Sequence, residues 1–160
     1  MRDSTRADSV TGGAVTLSVD RAFDFADAPY RKLFERASCS AFQHPDWLGA
    51  FYRILAGPKD FEPLVVTGHD FAGDLVLVVP LIRRRADRMT LIEYAFLGVT
   101  DYARPIVAPE LTLDAALSAD LHRTLGVYDV LRIGPVRGDA LAPWGALLGL
   151  PAEPDRKSVV

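Results

Sequence analysis

Leu75-Val76-Leu77-Val78-Val79-Pro80-Leu81-Ile82 is the stretch on which the fold turns. It is apolar at every position, without the alternation of a half-exposed strand, as befits a central strand covered on both faces. It is also the longest unbroken apolar run of the chain and falls far short of the ~20 residues that span a bilayer. Pro80 inside it carries no N–H, so a bulge or a locally unpaired position is needed there.

The neighbouring sequence supplies partners for this strand. Residues 63–68 read as the strand before it, joined through 69–74 with Gly73 as turn residue, and residues 89–97 as the strand after it, reached through a tight Ala86-Asp87 turn. Three strands on short connections make an antiparallel meander. Toward the N-terminus, residues 14–19 alternate, placing Val15, Leu17 and Val19 on one face of a first strand. A helix follows, with Asp27 as cap, Pro29 in its first turn, and Tyr30, Leu33, Phe34 and Ala37 on one stripe. Residues 39–43 connect it to a second helix, 45–56, opened by Pro45 and closed by Gly57-Pro58. Leu48, Phe51, Tyr52 and Leu55 form its inner stripe, and Trp47 and Ile54 widen it, so the helix is expected to be largely buried, with its end near residues 98–104 joining that loop in any substrate surface.

Toward the C-terminus come a loop at 98–104, a short strand at 105–108, and a helix at 111–125 capped by Thr112 and stopped by Gly126. Leu113, Leu117, Leu121 and Leu125 form its inner face. Residues 128–136 return as a strand, with Leu131 and Ile133 on one side, and 141–150 hold a last helical turn. Residues 1–12 read as a flexible arm, 14–150 as one domain and 151–160 as a tail. The expected architecture is α/β, a mixed and largely antiparallel sheet with covering helices.

With 160 residues, 49% of them hydrophobic, the chain has material for one core, and its net charge of -3 argues against a nucleic-acid partner. The lone Cys39 can form neither an internal disulfide nor a cysteine-rich metal site. The first residues lack the apolar segment of a signal peptide, so a cytoplasmic protein without a membrane span is expected. Of the 18 basic residues 15 are arginine, and asparagine is absent, a bias that fits a GC-rich coding sequence and a bacterial source.

No GxGxxG, GxxxxGK[ST], HExxH or GxSxG pattern occurs. His44, His69 and His122 fall in three different elements without metal-ligand spacing and read as surface or capping residues; Cys39 reads as a buried, inert thiol. Arg83-Arg84-Arg85 with Arg88 flanks a hairpin turn, where a solvated tip is the plain expectation and a phosphate or partner contact the sharper one. The polar loop Asp101-Tyr102-Ala103-Arg104 is the candidate substrate contact. Its aromatic ring, acid and guanidinium fork can stack, accept and grip an anion. The competing expectation is a loop tied down by its own Asp–Arg pair. No catalytic residue is assigned.

Phe42-Gln43-His44-Pro45-Asp46-Trp47-Leu48 with Ala50-Phe51-Tyr52, then Pro80-Leu81-Ile82-Arg83-Arg84-Arg85, Leu97-Gly98 and Asp101-Tyr102 with Pro105, stand in an order that resembles the CelD/BcsL-like acetyltransferases. These belong to the GNAT superfamily, are related to the FemAB-type tandem transferases, and are linked to cellulose and exopolysaccharide production. The resemblance runs over about residues 14–150. It implies a GNAT-like fold and acetyl-CoA- or other acyl-CoA-dependent N- or O-acyl transfer to a small-molecule or glycan-precursor substrate. It also implies that the chain is the N-terminal half of such an enzyme, with a second half or a homodimer partner. The family's acyl-CoA loop, [QR]xxGx[GA] between strand and helix, has no counterpart here. The nearest imitation, Arg123-Thr124-Leu125-Gly126-Val127-Tyr128, closes a helix where the motif would open one. An isolated chain that is inactive, weakly stable and self-associating is therefore expected, and a non-catalytic scaffold or substrate-recognition module is the alternative. The same division of roles predicts that Tyr102→Ala spares stability, whereas Trp47→Ala costs roughly 3–5 kcal/mol as an emptied core site.

Overall fold

The structure is a computed structural model and describes residues 10–11, 15–56 and 61–151. Its seven strands are β1 (Val10–Thr11), β2 (Val15–Asp20), β3 (Phe61–Asp70), β4 (Leu75–Ala86), β5 (Met89–Tyr94), β6 (Ile106–Val107) and β7 (Val130–Arg132). Among them run the helices α1 (Ala28–Arg36), α2 (Pro45–Ala50), α3 (Ala115–Leu125) and α4 (Gly138–Leu148). The sheet order is β1-β2-β3-β4-β5-β7, with β6 paired to β4. All pairings are antiparallel except β5–β7, which is parallel and joined through α3. The chain is thus α/β with a mixed, mostly antiparallel open sheet.

β4 sits at the centre, and Leu75 through Ile82 are buried on both faces. Pro80 is accommodated without a bulge: it faces Val65 in register, and its carbonyl accepts from the Ala95 N–H at 3.0 Å. In an antiparallel ladder the N–H and C=O of one residue point the same way. The missing donor of Pro80 therefore faces the step between β6 and β5, where no ladder requires it. The bulge lies at Gly68/His69 instead. A Cβ on Gly68 would stand 2.9 Å from Leu77 Cβ and 3.0 Å from Leu17 Cδ2, so only glycine lets β2, β3 and β4 close there.

Asp27 caps α1 through a 2.8 Å bond to the Ala28 N–H, and Tyr30 and Leu33 are its buried residues. Residues 41–43, expected as plain connector, form a 3-10 turn closed by a capping box in which Ser40 and Gln43 bond reciprocally. The second helix is α-helical only through Ala50 and continues as a π-helix over Phe51–Ala56. Its expected stop, Gly57-Pro58, lies outside the described residues, as do residues 1–9, 12–14 and 152–160. Val10–Thr11, expected within the arm, pair with β2 as β1.

Several boundaries move for local reasons. The hairpin after β4 turns at Asp87-Arg88, with Asp87 at φ 54°, one residue later than expected. Asp114, not Thr112, caps α3, accepting from the Leu117 N–H at 2.8 Å, because a carboxylate one turn ahead of the leucine face meets the free donors directly. Gly126 ends α3 at φ 71° as expected. The last strand shrinks to Val130–Arg132, and the last helix begins earlier, at Gly138, with Pro143 in its middle, where the helix gives up one N–H donor.

Candidate functional site

Gln43 organises the site from beneath. Its side chain is fully buried, a cost that only complete hydrogen bonding offsets. Oε1 accepts from the Ser40 N–H at 2.9 Å and from the Ser40 hydroxyl at 2.8 Å. Nε2 donates to the Tyr94 hydroxyl at 3.1 Å and to the Tyr102 carbonyl at 2.9 Å, while the Gln43 carbonyl accepts from the Tyr30 hydroxyl at 2.6 Å.

Two more side chains grip the next two carbonyls of the same loop. Trp144 Nε1 donates to Ala103 O at 2.9 Å, and the Tyr94 hydroxyl to Arg104 O at 3.0 Å. The Ala103 N–H donates to Pro135 O at 2.7 Å. Three consecutive carbonyls, 102 to 104, are thus held by α4, β5 and the turn before α2. Burial pushes the Tyr30 and Tyr94 hydroxyls above the usual phenol range, so they act here as neutral donors.

The candidate residues Asp101, Tyr102 and Arg104 do not act as one group. Arg104 turns away from Asp101: its guanidinium donates to Asp139 at 2.6 Å and to the Ser38 hydroxyl at 3.1 Å. That contact holds the Asp139 carboxyl below its ordinary range. Asp101 is exposed and has no ion pair among the described residues. The expected internal Asp–Arg tie is therefore replaced by the backbone clamps and the Arg104–Asp139 strut. Tyr102 presents its ring to solvent, at 39% exposure, beside the exposed Asp101.

Around Tyr102 lies a surface shelf that takes in Trp47, a residue expected in the core. Trp47 is 37% exposed and Ile54 60%, so neither widens a buried stripe. With residues 51–56 in π-helical form, the stripe that keeps Leu48 and Phe51 buried is not continued to Ile54. Trp47 instead meets Phe42 edge-on at 5.4 Å between centroids, and Phe42 meets Tyr102 at 5.7 Å. The Arg137 guanidinium lies 4.9 Å from the Tyr102 centroid. The result is a run of three rings on a rigid base with a cation at one end. A signal for it existed in the sequence: Trp47 directly precedes Leu48, which sets it about 100° round the helix from the buried face.

Other candidates resolve into structural roles. His44 caps α2, its Nδ1 accepting from the Asp46 N–H at 3.2 Å. His122 bridges the Tyr128 hydroxyl at 2.7 Å and the Leu148 carbonyl at 3.2 Å, tying α3 to α4. Burial pushes the Cys39 thiol up to about 11, against the opposing charge of Arg104, so it is a poor nucleophile at neutral pH. The arginine cluster is not uniformly solvated. Arg83 donates to Leu125 O at 2.7 Å and Arg84 pairs with Glu93, leaving only Arg85 and Arg88 exposed near the hairpin tip. Gly126 caps the C-terminal end of α3, so residues 123–128 present no helix-opening N–H groups.

A cleft of about 510 Å3 opens between the β2–α1 connection and the π-helical turn, lined by Arg21, Asp24, Phe25, Asp46, Tyr52 and Val65 among others. Along α4 runs a mainly apolar groove of about 840 Å3, lined by Ile133, Val136, Leu141, Leu148 and Leu150. Among the described residues, no three His, Cys, Asp or Glu side chains stand together as a metal site, and no helix is long and apolar enough to cross a membrane. Comparison with known protein families, curated proteins and solved structures found no match.

Proposed function

We propose that the chain is a GNAT-like half of an acyltransferase acting on a glycan precursor, and that its own share of the work is to recognise the acceptor. The observation that carries this is the shelf in which Trp47 and Tyr102 are exposed on either side of the half-buried Phe42, beside a loop whose three consecutive carbonyls are clamped. Rigid rings with open faces bind the C–H faces of sugars at little entropic cost, since the ordering has been done on folding. Asp101 and Arg137 at the margin supply an acceptor and a donor for hydroxyl groups. The mixed sheet, with one parallel pair joined through a helix, is compatible with the superfamily that the sequence resembles.

Acyl transfer by acetyl-CoA or a related thioester would need a donor site beyond the features described, because residues 123–128 close a helix. That favours a substrate-recognition module over a self-sufficient enzyme. The apolar groove along α4 is where a second half, or a second copy, would find unpartnered surface.

Titration with neutral gluco-oligosaccharides, followed by the fluorescence of Trp47 against a Trp47→Phe control, tests the acceptor role. Saturable quenching that Tyr102→Ala abolishes is expected, and its absence removes the proposal. A parallel titration with acetyl-CoA separates the classes: micromolar binding would restore the complete-enzyme alternative, and none is expected.

A further inference from the structure

Beyond the carboxyl ends of the parallel strands β5 and β7 lies a cavity of about 160 Å3, bounded by Arg84, Glu93, Tyr94, Leu97, Gly98 and Arg132 among others. The crevice outside the carboxyl ends of the strands is where open α/β sheets usually hold ligands. Here the segments that follow β5 and β7 meet each other, the Ala103 N–H donating to Pro135 O at 2.7 Å.

The charge at its wall is unusual. Glu93 is 4% exposed, and its carboxylate pairs with Arg84 on one side and Arg132 on the other. The register explains the assembly, for Glu93 stands opposite Ile82 on β4 and Arg132 on β7, and Arg84 shares that face two residues on. Two guanidiniums against one carboxylate leave one net positive charge beside apolar walls. A charge balance alone would need one arginine, and Arg132 keeps 61% of its side chain in solvent, with donors to spare.

The backbone over the cavity adds a second, independent observation. Leu97 has φ 40° and Gly98 φ 78°. A left-handed leucine is costly, and such strain persists mainly where the surrounding structure enforces it, often at ligand sites.

We infer that this cavity is an anion site, in which Glu93 is a positioning residue that holds Arg84 and Arg132 as a paired clamp for the oxyanion of a small ligand. The volume admits a group of a few heavy atoms, such as a carboxylate or a phosphate, and excludes a nucleotide. The inference stands apart from the acceptor shelf and does not depend on acyl transfer.

The test is a proton–nitrogen NMR titration of the whole chain with sodium acetate and, separately, with inorganic phosphate, each against chloride at equal ionic strength. Saturable shifts confined to amides near 96–98 and 132–134 are expected. The tighter of the two anions identifies the carboxylate or the phosphate as the natural group. Arg132→Gln, an exposed substitution that should fold, weakens the binding by about tenfold or more, the loss of one charge-assisted fork. Glu93→Gln removes the carboxylate that holds the two guanidiniums, so it should weaken the saturable binding even though it adds positive charge. Binding as tight as in the wild type or tighter would show that Glu93 does not position the clamp. Linear, unsaturable shifts, or saturable shifts that Arg132→Gln leaves unchanged, would show a purely structural ion triad and overturn the inference.

Discussion

The molecule holds two aromatic clusters that differ in what surrounds their rings. In the first, Phe25, Tyr30 and Tyr52 pack at 5.0 and 5.3 Å, and the two tyrosine hydroxyls donate to the Gln43 and Leu81 carbonyls. In the second, Phe42, Trp47 and Tyr102 touch at similar distances, yet Trp47 and Tyr102 are more than a third exposed, and among the described residues neither the Trp47 Nε1 nor the Tyr102 hydroxyl has a protein partner. Ring-to-ring distance does not distinguish a core from a binding surface. Satisfaction of the polar handles does, since a buried hydroxyl must bond and an exposed one is left free for a ligand.

The sharpest way to break this comparison is to empty one cluster at a time. Tyr30→Ala should cost about 3–5 kcal/mol in urea unfolding, as a fully buried ring gives way to a cavity. A loss below 1 kcal/mol would mean that the first cluster is not a core.

Gln43→Ala sits between the clusters and should cost about 2–3 kcal/mol, because the Tyr102 carbonyl and the Ser40 N–H lose buried partners. It should also loosen the shelf, so any oligosaccharide binding should fall even after the variant is stabilised by cooling. If binding survives intact, the clamps do not prepare the surface.

Trp47→Ala and Tyr102→Ala should each change unfolding free energy by less than about 1 kcal/mol, the range for exposed positions, while abolishing stacking on a ligand. For Trp47 this replaces the larger cost expected of a core residue. Measured unfolding as costly as that of Tyr30→Ala would erase the distinction.

Cys39 reads the seam, since it feels Tyr30 and Tyr94 on one side and Arg104 on the other. With its thiol pushed up to about 11, alkylation by iodoacetamide should rise about tenfold per pH unit from neutrality to pH 10. An exposed cysteine would level off above about 8.5. A plateau near that value would place the thiol in solvent and the seam with it.

The sheet was legible because its central strand announces burial on both faces, and the caps Asp27 and Gly126 are local chemistry that one residue can state. Asp114 was missed in favour of Thr112 because both are capping types and only the helix phase chooses between them. The site was half legible. Tyr102 stood out as an aromatic in a polar loop, but the partner of Arg104 lies 35 residues further on, at Asp139, beyond any local spacing rule. Ile54 falls off the stripe because the helix is π-helical from Phe51 on, whereas Trp47, still in the α-helical part, stands one residue before Leu48 and so about 100° round the helix from it.

Two of the three carbonyl clamps, those of Gln43 and Trp144, have a consequence for the order in which the protein acquires its structure. Gln43 reaches Tyr94 and Tyr102 across 51 and 59 residues, and Trp144 reaches Ala103 across 41. Hairpins such as β3–β4 close short loops and can form early, whereas these contacts wait for distant segments to meet. The shelf should therefore be the last part to mature in refolding and the first to loosen in partial opening. Amide exchange would show this as protection at 102–104 well below that of β4. A nascent or heat-stressed chain would then keep its sheet while losing its grip on a ligand, which makes recognition itself a check that both ends of the domain have come together.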